Sequence, residues 1–429
     1  MTGERLRTIG SAQPRRDGIG KVTGNARFAA DVELPGMLHA KVLRSPHAHA
    51  RVVRIDTSKA ARLAGVHHVA TRDDFAGMQP VYGWLIKDQP VLAIDKVRYV
   101  GDMIAAVAAD DEATAYRALD LIDVDYELLP DLQSIEAALE ADAPALFEEP
   151  PIGFVNTYGQ GASAEKDPRK NVCYRFNYRT GDASVFGGCD HIFEDTFTFS
   201  RMQHYFLEPY VAVAQWQGDQ VEVWSATQSP FLNRKELARV FQHPEEKITV
   251  NVLYVGGGYG AKTGCKTEPI AVLLARITAR PVRLAFTMEE QLLTNTQHAA
   301  VLKLRTGVMN DGTLVARQSE ILLNAGAYSD ASPLVAEKAG YRIPGSYRWR
   351  HIDTQVDCVL TNQAPAGAFR GFGGTQAAWA SESQIDMIAR RLGIDPYALR
   401  MKNLKDLGEA FVPGESAIDS DLRLGLDLI

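Results

Sequence analysis

Two glycine-rich segments constrain this fold more than anything else in the chain. The first is Gly256-Gly-Gly-Tyr-Gly-Ala-Lys-Thr263 and the second is Ala366-Gly-Ala-Phe-Arg-Gly-Phe-Gly-Gly-Thr375. Glycine lacks Cβ, so such runs let backbone approach backbone, or a ligand, more closely than other residues permit. Loops of this kind need rigid elements to deliver them, and the hydrophobic pattern supplies them. Ile248 to Val255 reads as a strand entering the first loop and Glu268 to Ile277 as the helix leaving it. Gln376 to Leu392, amphipathic and closed by Gly393, reads as the helix after the second. That second loop sets Arg370 between Phe369 and Phe372. A permanent charge with five donors then lies between two flat apolar faces, which suits a planar substrate beside a charged group.

The rest of the chain alternates strands and helices. Leu38 to Leu43, Ala50 to Ile55, Val66 to Ala70, Ile122 to Leu128 and one long run from Val97 to Ala108 read as strands. Ser58 to Leu63 and Asp111 to Leu121 read as helices. This predicts a compact α/β domain over residues 21–130, preceded by an extended arm over 1–20. Residues 131–190 hold one predicted helix (Ser134 to Glu140), then Pro144, Pro150-Pro151, Asp167-Pro168 and Gly187-Gly188, and read as a connector wrapped over a surface. A second domain over 191–429 is predicted to hold strands at Phe193 to Phe199, Tyr210 to Gln217, Val221 to Thr227 and Pro281 to Phe286, with a helix from Asn233 to Phe241. Val301 to Val308 and Leu314 to Asn324, joined through Asn310-Asp-Gly312, predict a β-hairpin. The fold class is therefore α+β.

Composition narrows the function. A net charge of −7 with no long basic cluster disfavours nucleic-acid binding. No apolar run is long enough for a membrane span, and no apolar segment follows the first charges, so a cytoplasmic location is expected. Cys173, Cys189, Cys265 and Cys358 are scattered, with no C-x-x-C, which argues against a zinc site or an iron–sulfur cluster held by this chain. The first glycine loop has the strand–loop–helix context of an anion site. Ala261, however, stands where a nucleotide-binding loop needs glycine before its lysine, so a P-loop is disfavoured. A plain tight turn stays open for this loop, as does a structural ion pair for Arg370. Gln203-His-Tyr-Phe-Leu-Glu-Pro209 and Trp224-Ser-Ala-Thr-Gln-Ser-Pro230 lie at strand ends, and the Gln228 amide could donate to an oxo ligand.

The Gln203 motif, Thr227-Gln228, the Gly256 loop and Gly367-Ala-Phe-Arg-Gly-Phe-Gly373, in this order, resemble the molybdenum-binding large subunit of the xanthine dehydrogenase family of molybdenum hydroxylases. Gly20-Lys-Val-Thr-Gly24, Ala26-Arg-Phe-Ala-Ala-Asp31 and Asp95-Lys-Val-Arg-Tyr-Val-Gly-Asp102 resemble that family's N-terminal hammerhead domain. The resemblance implies a hammerhead domain followed by the first half of a molybdopterin-binding domain. The family's second half, with its glutamate general base, is not matched here. This implies a second molybdopterin-binding subunit, as in the family's nicotinate dehydrogenases, whose pattern Ile86-Lys-Asp-Gln-Pro90 also resembles.

The implied reaction is hydroxylation of an N-heteroaromatic substrate, nicotinate-like or purine, with water-derived oxygen. The implied cofactor is molybdenum–molybdopterin, for which the resemblance admits a cytosine dinucleotide form. Electrons would leave to an iron–sulfur small subunit and an FAD subunit or other acceptor. Residue by residue, Gln228 would hydrogen-bond an oxygen ligand of the metal, and Gly258, Tyr259 and Gly260 would pack over the metal's ligands. Arg370 would stabilise negative charge on the substrate, Phe372 would stack on its ring, and Phe369 would lie nearby. Thr263 stands where xanthine-specific members carry Glu, and Lys338 where they carry a purine-orienting Arg; both would set substrate choice and disfavour xanthine. The second loop differs from the Cys-bearing loop of carbon monoxide dehydrogenases. Alternatives are an aldehyde-oxidising member of the same family and a non-catalytic assembly or cofactor-delivery subunit.

Overall fold

The computed structural model describes residues 8–148, 162–165, 169–412 and 416–427. The first residues of the expected arm, Pro150-Pro151 and Asp167-Pro168 lie outside the described residues. Of the arm, Gly18–Val22 is a short helix rather than extended chain.

Two sheets carry the architecture. A seven-stranded sheet has the order Ile248–Asn251, Gln220–Ser225, Val211–Gln217, Val282–Ala285, Leu38–Arg44, Met103–Ala109, Val66–Ala70. Its middle is a parallel pairing of Leu38, His39 and Ala40 with Val282, Arg283 and Leu284. One continuous ladder therefore joins strands from residues 21–130 to strands from beyond residue 191. Helix Glu268–Thr278 packs on this sheet, burying Ile270 through Ala275 in the largest core. Its consecutive apolar residues fit a helix enclosed on most sides.

A six-stranded sheet has the order His191–Phe199, Ala300–Val308, Leu314–Gly326, His351–Leu360, Val172–Thr180, Ala162–Glu165. The predicted hairpin forms, with Gly312 at φ +81° in its turn. Helices Ser332–Arg342 and Gly374–Leu392 contribute to the core on this sheet. The second helix ends at Gly393 in the left-handed conformation, as its sequence predicts.

Two expectations are corrected. The run Val97 to Ala108 is two strands in different sheets. Lys96–Val97 pairs with Ala50 and Arg51, while Met103–Ala109 is interior to the seven-stranded sheet. Between them the chain turns at Gly101 (φ +106°), and the buried Asp102 carboxylate accepts from the Arg98 N–H at 3.0 Å. The expected connector contains a core strand, Val172–Thr180. Its Tyr174, Phe176 and Tyr178 are buried and alternate with Arg175, Asn177 and Arg179. The prolines and glycines around it obscure that period. Helix Ser332–Arg342 and strand His351–Leu360, read as neither above, complete the second core. No helix among the described residues is long and apolar enough to cross a membrane.

Candidate functional site

The two glycine loops meet. The Arg370 N–H donates to the Tyr259 carbonyl at 2.9 Å. Gly260 faces the other loop so closely that a Cβ there would lie 2.5 Å from the Ala368 carbonyl oxygen, and its φ is +108°. A side chain at 260 would push the loops apart and strain the backbone.

Gln228, just past strand Gln220–Ser225, is fixed to the first loop. Its Oε1 accepts from the Gly260 N–H at 2.9 Å, and its own N–H donates to the Lys262 carbonyl at 2.8 Å. A Cβ on Gly258 would lie 2.4 Å from Gln228 Oε1, so glycine is what leaves room for this amide. With Oε1 engaged, the NH₂ of the exposed Gln228 side chain makes no hydrogen bond among the described residues. Tyr259 is 48% exposed at φ +51°, on the same loop.

The second loop is anchored by backbone. Gly367 N–H donates to Thr296 O at 2.9 Å, and Phe372 N–H to Phe369 O at 2.6 Å. Gly367 packs on Asn295, whose side chain donates to Asp330; Asp330 in turn pairs with buried Lys266 at 2.8 Å. Ser329, the neighbour of Asp330, donates its N–H to buried Asp88 from the first domain. Burial pushes that Asp88 carboxyl up to about 7. Arg370 itself is exposed. No hydrogen bond or ion pair of its guanidinium occurs among the described residues, so the structural ion-pair reading of Arg370 is not supported. Phe369 and Phe372 are half-buried. Phe369 lies against the His204 ring (centroids 4.6 Å apart), and Phe372 meets the edge of Trp84 from the first domain at 6.2 Å.

Gln228, Gly258, Tyr259, Gly260, Phe369 and Arg370 thus form one bonded cluster, with Phe372 beside it. Thr263 lies at the trailing end of the first loop, half-buried, its hydroxyl donating to Gly260 O. Lys338 is half-buried on helix Ser332–Arg342 and borders a surface hollow with Gly371 and Gly374, behind the second loop.

Lys262 is the surprise. An anion-binding loop would aim it outward, yet it is 1% exposed and bound to Glu208 beneath the loop. Sequence reading also passed over His204, whose Nε2–H donates to Ala368 O at 2.8 Å; burial pulls its pKa down and keeps it neutral. Both Glu208 and His204 lie in the Gln203–Pro209 motif, which was the available signal.

The residues fit an oxygen-rich anionic group. They offer an exposed amide donor, an outward guanidinium and a glycine cradle that Cβ atoms would fill. No cluster of three or more His, Cys, Asp or Glu placed to hold a bare metal ion occurs among the described residues.

Residues 164–404 match the molybdopterin cofactor-binding domain, and residues 23–130 match the a/b hammerhead domain of aldehyde oxidase and xanthine dehydrogenase. The chain is 34% identical over 415 residues to the nicotinate dehydrogenase large molybdopterin subunit of Eubacterium barkeri, covering 96% of this chain and 93% of that protein. It is 38% identical over 400 residues to a probable xanthine dehydrogenase subunit of Bacillus subtilis (strain 168), covering 92% of this chain but 51% of that protein. An aldehyde oxidoreductase structure from Desulfovibrio gigas superposes with a TM-score of 0.85 at 29% identity, over 95% of this chain and 44% of that one. The chain therefore spans about half the length of some relatives and nearly all of another. With its hammerhead domain, its cofactor-binding domain and the loops described above, the chain belongs to the xanthine dehydrogenase and aldehyde oxidase family of molybdopterin-binding oxidoreductases.

Proposed function

We propose that this chain is part of the large subunit of a molybdenum hydroxylase acting on an N-heteroaromatic ring, nicotinate-like or purine. The observation that carries the reading is the Gln228 amide. Its oxygen is held by Gly260 N–H, so its NH₂ is left to donate to a ligand, on the loop to which the exposed Arg370 is bonded through its backbone. The molybdenum–pterin group supplies, when bound, the two-electron oxidation and the transfer of water-derived oxygen.

The chain's residues supply position and charge. Gln228 would hold the cofactor by donating from its Nε2–H, and the Gly258–Gly260 backbone would form the cradle. Arg370 stabilises negative charge as it develops on the substrate ring. Phe372 stacks on that ring, with Phe369 beside it. Thr263 and Lys338 select ring substituents.

The nearby carboxylates Glu208 and Asp330 are each already paired with a buried lysine. This supports a base carried by a second molybdopterin-binding subunit. An iron–sulfur subunit and an FAD subunit would take the electrons, and a cytosine dinucleotide form of the pterin suits the nicotinate dehydrogenase likeness.

The test is molybdenum content, by plasma mass spectrometry, of the complex this chain forms in its native host. Near-stoichiometric molybdenum with iron, and turnover of one member of an N-heterocycle panel, is expected. An intact complex without molybdenum overturns the reading.

A further inference from the structure

We propose that Lys262 is a positioning residue for the Gln228 amide, acting from beneath the loop through its ion pair with Glu208. The inference rests on the reading above that Gln228 faces the cofactor.

Three separate segments are tied at this one lysine. Its carbonyl accepts from the Gln228 N–H at 2.8 Å and from the Thr227 hydroxyl at 3.1 Å. Its Nζ donates to the Glu208 carbonyl at 2.7 Å and to Glu208 Oε2 at 3.0 Å, and lies 4.6 Å from the centre of the Phe206 ring. Glu208 Oε2 in turn accepts from the Gly256 N–H at 2.7 Å. The loop is thus held at its start by Glu208 and at its end by Lys262. Gln228 hangs from the Lys262 carbonyl and closes the circuit by returning its Oε1 to Gly260 N–H.

Fit is tight along this circuit. A Cβ on Gly256 would lie 2.5 Å from Glu208 Cβ, and one on Gly257 would lie 2.9 Å from Phe206 Cβ. The Gln203–Pro209 segment is therefore the floor on which the loop rests. The lysine and glutamate cancel in charge, so they give little net field to the pocket above. What they give is a fixed depth and tilt of the loop, and with it the direction of the Gln228 NH₂ group.

Removing the lysine alone would leave a buried carboxylate without its counterion, which destabilises for a trivial reason. The informative variant is Lys262→Met with Glu208→Gln, which keeps volume and keeps an acceptor for Gly256 N–H. It is compared with wild type in the whole complex purified from the native host. Hydrogen exchange at the Gly260 amide is expected to rise roughly tenfold, because its bond to Gln228 loosens. Molybdenum content is expected to hold. The kcat on the substrate found in the panel is expected to fall about a hundredfold, as for loss of one well-placed donor, with little change in KM. Glu208→Gln alone, which leaves Lys262 its bond to the carbonyl of residue 208, is expected to give a smaller change of the same sign. It decides the matter if the double variant does not fold. Unchanged exchange and unchanged kcat in a folded variant overturn the proposal. A wild-type complex without molybdenum would overturn the functional reading instead, while Gly260 exchange would still decide whether Lys262 holds Gln228 in place.

Discussion

In the Gly256 loop the cation points into the protein, whereas in the Ala366 loop it points out. Lys262 is 1% exposed and paired with Glu208; Arg370 is exposed and lies at the tip of a loop fastened by its backbone. The glycines differ in the same way. Gly258 yields room to a side chain, Gln228, while Gly260 yields room to a carbonyl of the other loop. Similar composition therefore serves two tasks: one loop is a seat held from below, and the other is a charged wall held from behind.

The sharpest way to break this contrast is to add one methyl group to each glycine. Gly260→Ala meets backbone that cannot move aside and also forces φ +108° on a residue with Cβ. It should cost about 3 kcal/mol or more of folding stability, read as a lower urea midpoint. Gly258→Ala meets first the flexible side chain of Gln228. It should leave the urea midpoint nearly unchanged and lower turnover, because the Gln228 amide is displaced. Equal losses of stability in the two variants would remove the distinction between seat and wall.

Arg370→Ala tests the wall. Its guanidinium carries no fold-stabilising ion pair among the described residues, so thermal stability should hold. Turnover per molybdenum should fall about 10²- to 10³-fold, the usual loss for a donor aimed at developing charge. Near-normal turnover would leave the second loop a scaffold only.

The smallest effect lies behind the wall, at Asp88, which holds the Ser329 N–H next to Asp330. Burial raises this carboxyl to about 7 in the folded protein, whereas an unfolded Asp titrates near 3.9. The folded state therefore binds the proton more tightly. A stability penalty sets in as pH rises from about 4 and is complete above about 7. Asp88→Asn keeps an acceptor for Ser329 and avoids the charge. Its stability relative to wild type should improve steadily across that window and stay flat above it, as measured by urea melts at several pH values. A pH-independent difference would mean that Asp88 is not the titrating group.

Much of this could be read from residue order. The hairpin at Asn310-Asp-Gly312, the helix stop at Gly393 and the strand–glycine–helix context of the first loop are local signals, and local geometry decides them. The strand Val172–Thr180 was hidden because its reason to form is distant: Phe176 packs on Tyr341 at 4.9 Å. The direction of Lys262 was hidden for a similar reason. Nothing in Gly-Ala-Lys-Thr says where its ammonium lies, because Glu208 arrives from another segment. The break at residues 98–102 had a signal, the polar Arg98 and Gly101-Asp102, but the apolar run on either side outweighed it.

The parallel pairing of Leu38–Ala40 with Val282–Leu284 also bears on how the chain is made. On a ribosome, the hammerhead segment emerges long before its partner strand exists. Until Val282–Ala285 follows, Leu38–Arg44 has one bare edge of hydrogen-bonding groups, open to mispairing with other chains. Closing so long a loop makes the ladder slow to form, so this stretch of synthesis is where a chaperone would matter most. Expressed alone, the second domain would expose the matching edge of Val282–Ala285 and should tend to aggregate, however well its own glycine loops are built.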